Sequence, residues 1–153
     1  MGRRTRSGKP EPGGSGRRTA GAAAVRRLCP GRYRRMAESS DGYIAGSVPP
    51  ALASGAFDAA RAAWQAAGRP GQPRLVALNY FALGDPGRGR ANIADYYAAT
   101  GEYQDIVVGN VHTDAESLRD AVAQFEALGA DELILGPGTD DLDEITRLAD
   151  VVL

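Results

Sequence analysis

The 153-residue chain has one cysteine, one histidine and one lysine. It also lacks any apolar run approaching the roughly 20 residues that a membrane-spanning helix needs. A lone Cys29 excludes a disulfide-stapled scaffold, and with no second thiol or paired base it has no case as a nucleophile. A lone His112 cannot build a metal cluster or a Ser-His-Asp triad with identifiable partners, and beside Thr113 it reads as a surface residue. Acids are almost absent from the front of the chain. Residues 1–35 hold eleven basic groups and Glu11 alone, whereas residues 36–153 hold seven basic groups and eighteen acids. The formal net charge of −1 hides this division.

Residues 1–30 are rich in Arg, Gly, Pro and Ser, and their apolar residues show neither a helical nor a strand period. Such a segment cannot bury enough apolar surface to order itself, so a disordered basic tail is expected. No aromatic residue precedes Tyr33, so there is no stacking platform for bases, and nucleic acid is not an expected partner. Gly and Pro interruptions spoil an amphipathic transit helix, and no apolar signal-peptide core is present, which makes the cytoplasm the expected location.

From residue 31 onward strands and helices alternate. A short helix over Arg32–Ser40 leads to a buried strand at Tyr43–Ala45. Pro49 and Pro50 open a connection to a helix over about Phe57–Ala67, whose Phe57, Ala60, Trp64 and Ala67 form one apolar stripe stopped by Gly68. Arg74–Leu83 is nearly continuously apolar, as expected for a parallel strand covered on both faces. Helical stretches follow at about Arg90–Thr100 and Glu102–Val108. Thr113 and Glu116 then read as a capping box before a helix with Leu118, Ala121, Val122, Phe125 and Leu128 inward and Gly129 closing it. Glu132–Leu135 is a third strand. A last helix from about Asp141 is expected to turn Leu142, Ile145, Leu148, Ala149 and Val152 inward. The class is α/β, with helical crossovers long enough for right-handed parallel connections. Three parallel strands cannot close a barrel, so unpaired edges are expected, open to a second copy or another chain.

Several stretches carry a family resemblance. They are Arg34-Arg35-Met36-Ala37-Glu38 leading to Asp41-Gly42-Tyr43-Ile44, Ala63-Trp64-Gln65-Ala66-Ala67-Gly68-Arg69-Pro70, Pro73 to Gly84, Asp95-Tyr96-Tyr97, and Gly129 to Leu135 with Arg147-Leu148-Ala149-Asp150. In order and spacing, residues 31–153 resemble the C-terminal portion of the bacterial luciferase-like monooxygenases. That family comprises flavin- and deazaflavin-dependent oxidoreductases. The resemblance implies a partial TIM-type (β/α)8 barrel, here about three C-terminal β/α units, and FMN or a deazaflavin coenzyme as cofactor with a small-molecule substrate. Where the family has a fifth strand ending in a Gly pair, this chain has Val25-Arg26-Arg27-Leu28-Cys29-Pro30-Gly31. A truncated or frame-shifted copy is the expectation that follows, with residues 1–30 foreign to the family.

Barrels of this kind hold ligands at the C-terminal ends of their strands. Two readings stand for Ala45-Gly46-Ser47: a plain strand-to-helix turn, or, as the resemblance implies, a contact with the cofactor phosphate through Gly46 and the Ser47 hydroxyl. Asn79 is polar inside an apolar strand and needs a partner if buried; it is the third cofactor-binding candidate. Tyr80 and Phe81 point to opposite faces. Gly136-Pro137-Gly138-Thr139 resembles an anion loop, but Asp140, Asp141, Asp143 and Glu144 would repel a phosphate and suit a helix start instead.

Overall fold

A computed structural model of the chain describes residues 31–153, and the expected disordered tail, with Cys29, lies outside the described residues. Helix α1, Gly31–Ser39, buries Met36 and Ala37 and delivers the chain to strand β1, Gly42–Ala45. Helix α2 runs Pro50–Ala66, seven residues ahead of the expected start at Phe57. Pro50 occupies its first turn, where the missing N–H is no loss, and between it and Phe57 only Leu52 is a large apolar residue, too little contrast to betray a helix. Phe57, Ala60 and Trp64 are buried as the stripe requires, but Ala67 is exposed at the C-cap.

Strand β2, Arg74–Phe81, stops two residues short of Leu83. Helix α3 follows at Pro86–Tyr96, capped by Asp85, whose side chain accepts from the Arg88 N–H at 2.9 Å. A 3₁₀ turn at Ala98–Thr100 and helix α4, Glu102–Gly109, complete this excursion. Helix α5, Ala115–Ala127, is capped by Asp114, not by Thr113: the Asp114 carboxylate accepts from the Ser117 N–H at 2.8 Å. His112 sets that boundary. Its N–H donates to the Tyr80 carbonyl and its carbonyl accepts from Ala82, so the chain is held extended beside β2 before the helix can begin. Strand β3, Glu132–Pro137, and helix α6, Asp143–Val152, end the chain, α6 starting two residues later than expected because the Asp141 side chain accepts from the Asp143 N–H at 3.0 Å.

The three strands form one parallel sheet in the order β1-β2-β3. Its two faces differ. On one, Ala45, Leu75 and Ala77 pack with Phe57, Ala60 and Trp64 of α2, Phe125 of α5 and Met36 of α1. Within β2 the odd-numbered residues are buried and the even-numbered ones are exposed or half-buried, so the strand is covered on one face only, a correction to the expectation of two. The open face presents Ile44, Val76, Leu78 and Ile134, with Arg74 paired to Glu132 at its lower end.

Helix α6 departs furthest from expectation. Leu142, Ile145 and Val152, expected to face inward, are exposed, and Leu148 and Ala149 are only half-buried. A right-handed crossover lays each helix over the strand it leaves and the strand that follows. After β3 no further strand stands among the described residues, so this stripe has nothing to cover.

Candidate functional site

The C-terminal ends of the strands gather most of the polar side chains that the sequence singled out. At the end of β1, Gly46 is exposed but has no room for a Cβ, because the Tyr103 hydroxyl of α4 lies against it. Ser47 is fully buried, and its Oγ finds no hydrogen-bond partner among the described residues. A buried hydroxyl without a partner costs on the order of 1–3 kcal/mol. Ser47 lies three residues ahead of Pro50, and the α2 N-terminus carries no side-chain cap.

Asn79 is placed differently. It sits on the covered face with Phe81, fully buried, and both ends of its amide are engaged. Its Oδ1 accepts from Asn110 Nδ2 at 2.9 Å, and its Nδ2 lies 3.2 Å from His112 Nε2. The partner that a buried amide demands is thus supplied from the α4–α5 connection. That pairing assigns His112 a neutral ring with Nε2 accepting, consistent with burial pushing its pKa below the ordinary value while Asp114 pulls weakly the other way. His112 is half-buried, not the surface residue that its neighbour Thr113 implied.

Glu144 was not foreseen as a buried group. Its position in the first turn of α6 signals only a carboxylate complementing the helix dipole. In the fold it is fully buried, accepting from the N–H groups of Leu83 at 2.8 Å and Gly84 at 2.6 Å, with Arg147 3.4 Å away. Past Phe81 the amides leave the ladder: Ala82 donates to the His112 carbonyl, and Leu83 and Gly84 turn to Glu144. A Cβ on Gly84 would stand 2.7 Å from Glu144 Oε1, so the turn admits only glycine without displacement. Arg147 also holds Asp141 at 2.9 Å, and Arg88 pairs with Asp140 at 2.6 Å. The Asp140–Glu144 segment is therefore cross-linked to the loop and helix after β2, and its acids serve that tie, as the helix-start reading of Gly136–Thr139 implied.

A tyrosine set also escaped sequence reasoning. Tyr80, on the open face, stands 3.2 Å hydroxyl to hydroxyl from Tyr97, whose ring meets Tyr96 and Tyr103 edge-on at centroid distances of 5.0 and 5.8 Å. Burial, and then the Tyr80 hydrogen bond, push the Tyr97 phenol well above its ordinary range. Burial does the same for Tyr103, with Arg32 opposing. These phenols act as neutral hydrogen-bonding groups at any physiological pH. Only the adjacent pair Tyr96-Tyr97 hinted at them in the sequence. At the other end of the sheet, a depression of about 530 Å³ is lined by Asp41, Arg61, Arg74 and Asp131. Its arginines are already occupied, Arg61 by Asp58 and the Leu128 carbonyl and Arg74 by Glu132, which leaves no free cation to attract an anion.

No helix among the described residues is long and apolar enough to cross a membrane. No protein-family model matches the sequence, and no curated protein matches it. Among solved structures, the chain is similar to an F420-dependent secondary alcohol dehydrogenase in complex with an F420-acetone adduct, with a TM-score of 0.60 and 17% identity. The match covers 80% of this chain and 45% of that one, so the chain spans less than half of the length of the structure it resembles. The likeness is one of fold: among the described residues, a mixed α/β arrangement of three parallel strands and six α-helices consistent with part of a TIM-like unit.

Proposed function

We propose that this chain belongs to an oxidoreductase of the luciferase-like class and contributes part of the cofactor contact, a deazaflavin coenzyme being favoured over FMN. The observation that carries the reading is the buried, unpartnered Ser47 hydroxyl at the end of β1, in a fold similar to that of an F420-dependent dehydrogenase. A deazaflavin or FMN presents phosphate and ring carbonyl oxygens, and these want hydroxyl and backbone N–H donors. Ser47 Oγ is such a donor, three residues ahead of the start of α2. Gly46 completes the strand end, although the Tyr103 phenol fills the space above it, so a phosphate reaching Gly46 requires that ring to swing aside. When bound, the deazaflavin ring supplies the hydride chemistry. The residues of this chain bind and orient it: Ser47 by donation, and Asn79 indirectly, by fixing His112 and the α4–α5 connection next to β2.

A titration of the full chain with each cofactor, followed by cofactor fluorescence, tests this. Saturable quenching is expected, stronger with the deazaflavin, and Ser47→Ala should weaken it by about 10-fold, the worth of one hydrogen bond to a charged group. No saturable change with either cofactor removes the reading. A second reading, a non-catalytic interaction unit, is favoured by the uncovered aliphatic face of the sheet.

A further inference from the structure

We propose that Asn110, Asn79 and His112 form a proton-driven switch: when His112 takes up a proton, the donor–acceptor direction of the whole series reverses and both amides turn over together. The proposal does not depend on the cofactor reading. Asn110 Nδ2 donates to Asn79 Oδ1 at 2.9 Å, and Asn79 Nδ2 stands 3.2 Å from His112 Nε2, which accepts. Each of these bonds points towards the imidazole, so the proton of the neutral ring sits on Nδ1. A protonated imidazole has no acceptor, because both ring nitrogens donate. Its Nε2–H would then face the Asn79 NH2 group, donor against donor, at a side chain with no exposure to water.

The amide itself resolves this conflict. Turned over about its Cβ–Cγ bond, it keeps its shape and exchanges nitrogen for oxygen, so that Asn79 Oδ1 accepts from the imidazolium. That rotation brings Asn79 Nδ2 against the Nδ2 of Asn110, and Asn110, itself buried, has to turn its own oxygen inward to accept. Either partial reversal leaves a pair of donors opposed, so the series has two satisfied arrangements and one proton selects between them. Asp114 of the α5 cap is the charged group that acts on the ring and favours the proton, while burial opposes it. Arg90 of α3 reaches the Thr113 hydroxyl instead, at 3.3 Å. β2 meets His112 with the Asn79 amide, the Tyr80 carbonyl and the Ala82 N–H, none of which titrates. Those two backbone bonds hold His112 beside the strand in both arrangements. Asn110 closes α4, the helix whose Tyr103 stands against Gly46, so the switch lies between the sheet and that helix.

Nitrogen NMR of the full chain tests this, since His112 is the only histidine and its ring signals are unambiguous. Above the titration midpoint the expected ring is the Nδ1–H tautomer. As pH is lowered from about 8 to about 5, the side-chain NH2 signals of Asn79 and Asn110 should shift with the same midpoint as the ring, while the backbone amides keep the pattern of the folded chain. Asn110→Asp offers only acceptors at that position and favours the reversed series, so its neutral ring should carry the proton on Nε2. A negative charge alone would raise the midpoint without moving that proton. An Nε2–H ring in the parent chain overturns the proposal, as do Asn110 signals that stay flat while the ring titrates, or unfolding before the ring is protonated. A folded Asn110→Asp variant that keeps the Nδ1–H ring overturns it too, and if that variant does not fold, the titration of the parent chain decides alone.

Discussion

The two faces of the sheet are made from one set of strands and have opposite fates. Along β2, Leu75, Ala77, Asn79 and Phe81 alternate with Arg74, Val76, Leu78 and Tyr80, and the first set is buried while the second is exposed or half-buried. The covered face meets α2 and α5 through Phe57, Trp64 and Phe125, large side chains with almost no remaining exposure. The open face is also aliphatic, yet among the described residues nothing packs on it beyond the tyrosines at its upper end. Apolar character therefore does not by itself assign stability. Burial against a partner does, and only one face has such a partner within the described residues.

Substitutions should separate the faces. Phe57→Ala is expected to cost about 3–5 kcal/mol by urea denaturation, as for other buried aromatics; a loss below about 1 kcal/mol would erase the distinction. Glu144→Ala removes the acceptor of two buried amides and should cost roughly 2–4 kcal/mol, with Glu144→Gln recovering part because one carbonyl oxygen remains. Equal stability of both variants and the parent would show that the tie across the strand ends is dispensable. Asp114→Ala strips the cap of α5 and should cost about 1 kcal/mol, with Asp114→Asn nearly neutral. On the open face, Val76→Ala should change the stability of the single copy by no more than about 0.5 kcal/mol; a value near that of Phe57 would mean that this face is covered in solution.

The acid response of the covered face is the finest probe. His112 is held below its ordinary pKa of 6.5, so under that pH the unfolded chain takes up a proton that the folded chain resists. The stabilisation from the neutral ring is whole above pH 6.5 and is lost as pH falls towards the folded value. Urea midpoints taken from about pH 7.5 to about pH 5 should decline with a component that His112→Gln lacks. An identical decline in that variant would assign the acid loss to other groups.

Much of the fold was legible residue by residue. The Phe57, Ala60, Trp64 spacing and the Leu118, Ala121, Phe125 spacing each fixed a helix and its buried side. Gly68 and Gly129, both with positive φ, ended those helices where expected. The alternation of strand and helix gave the parallel sheet. The candidate site was less legible. Gly46 and Ser47 stood out as a turn at a strand end, but that the Ser47 hydroxyl would lack a partner depends on what surrounds it. Asn79 announced its need for a partner without naming Asn110 and His112, which lie 31 and 33 residues away.

Local spacing and capping chemistry determined by themselves that this is an α/β chain, where its strands fall and which side of α2 and α5 is apolar, because those features depend on neighbours within a few residues. The tertiary structure alone decided that one sheet face stays open among the described residues, that Glu144 is buried while Leu142 is exposed, and that His112 joins the side of β2. Each of these depends on which segments meet across long separations in sequence. A periodic pattern records that a face is apolar, and it carries no information on whether another element arrives to cover it.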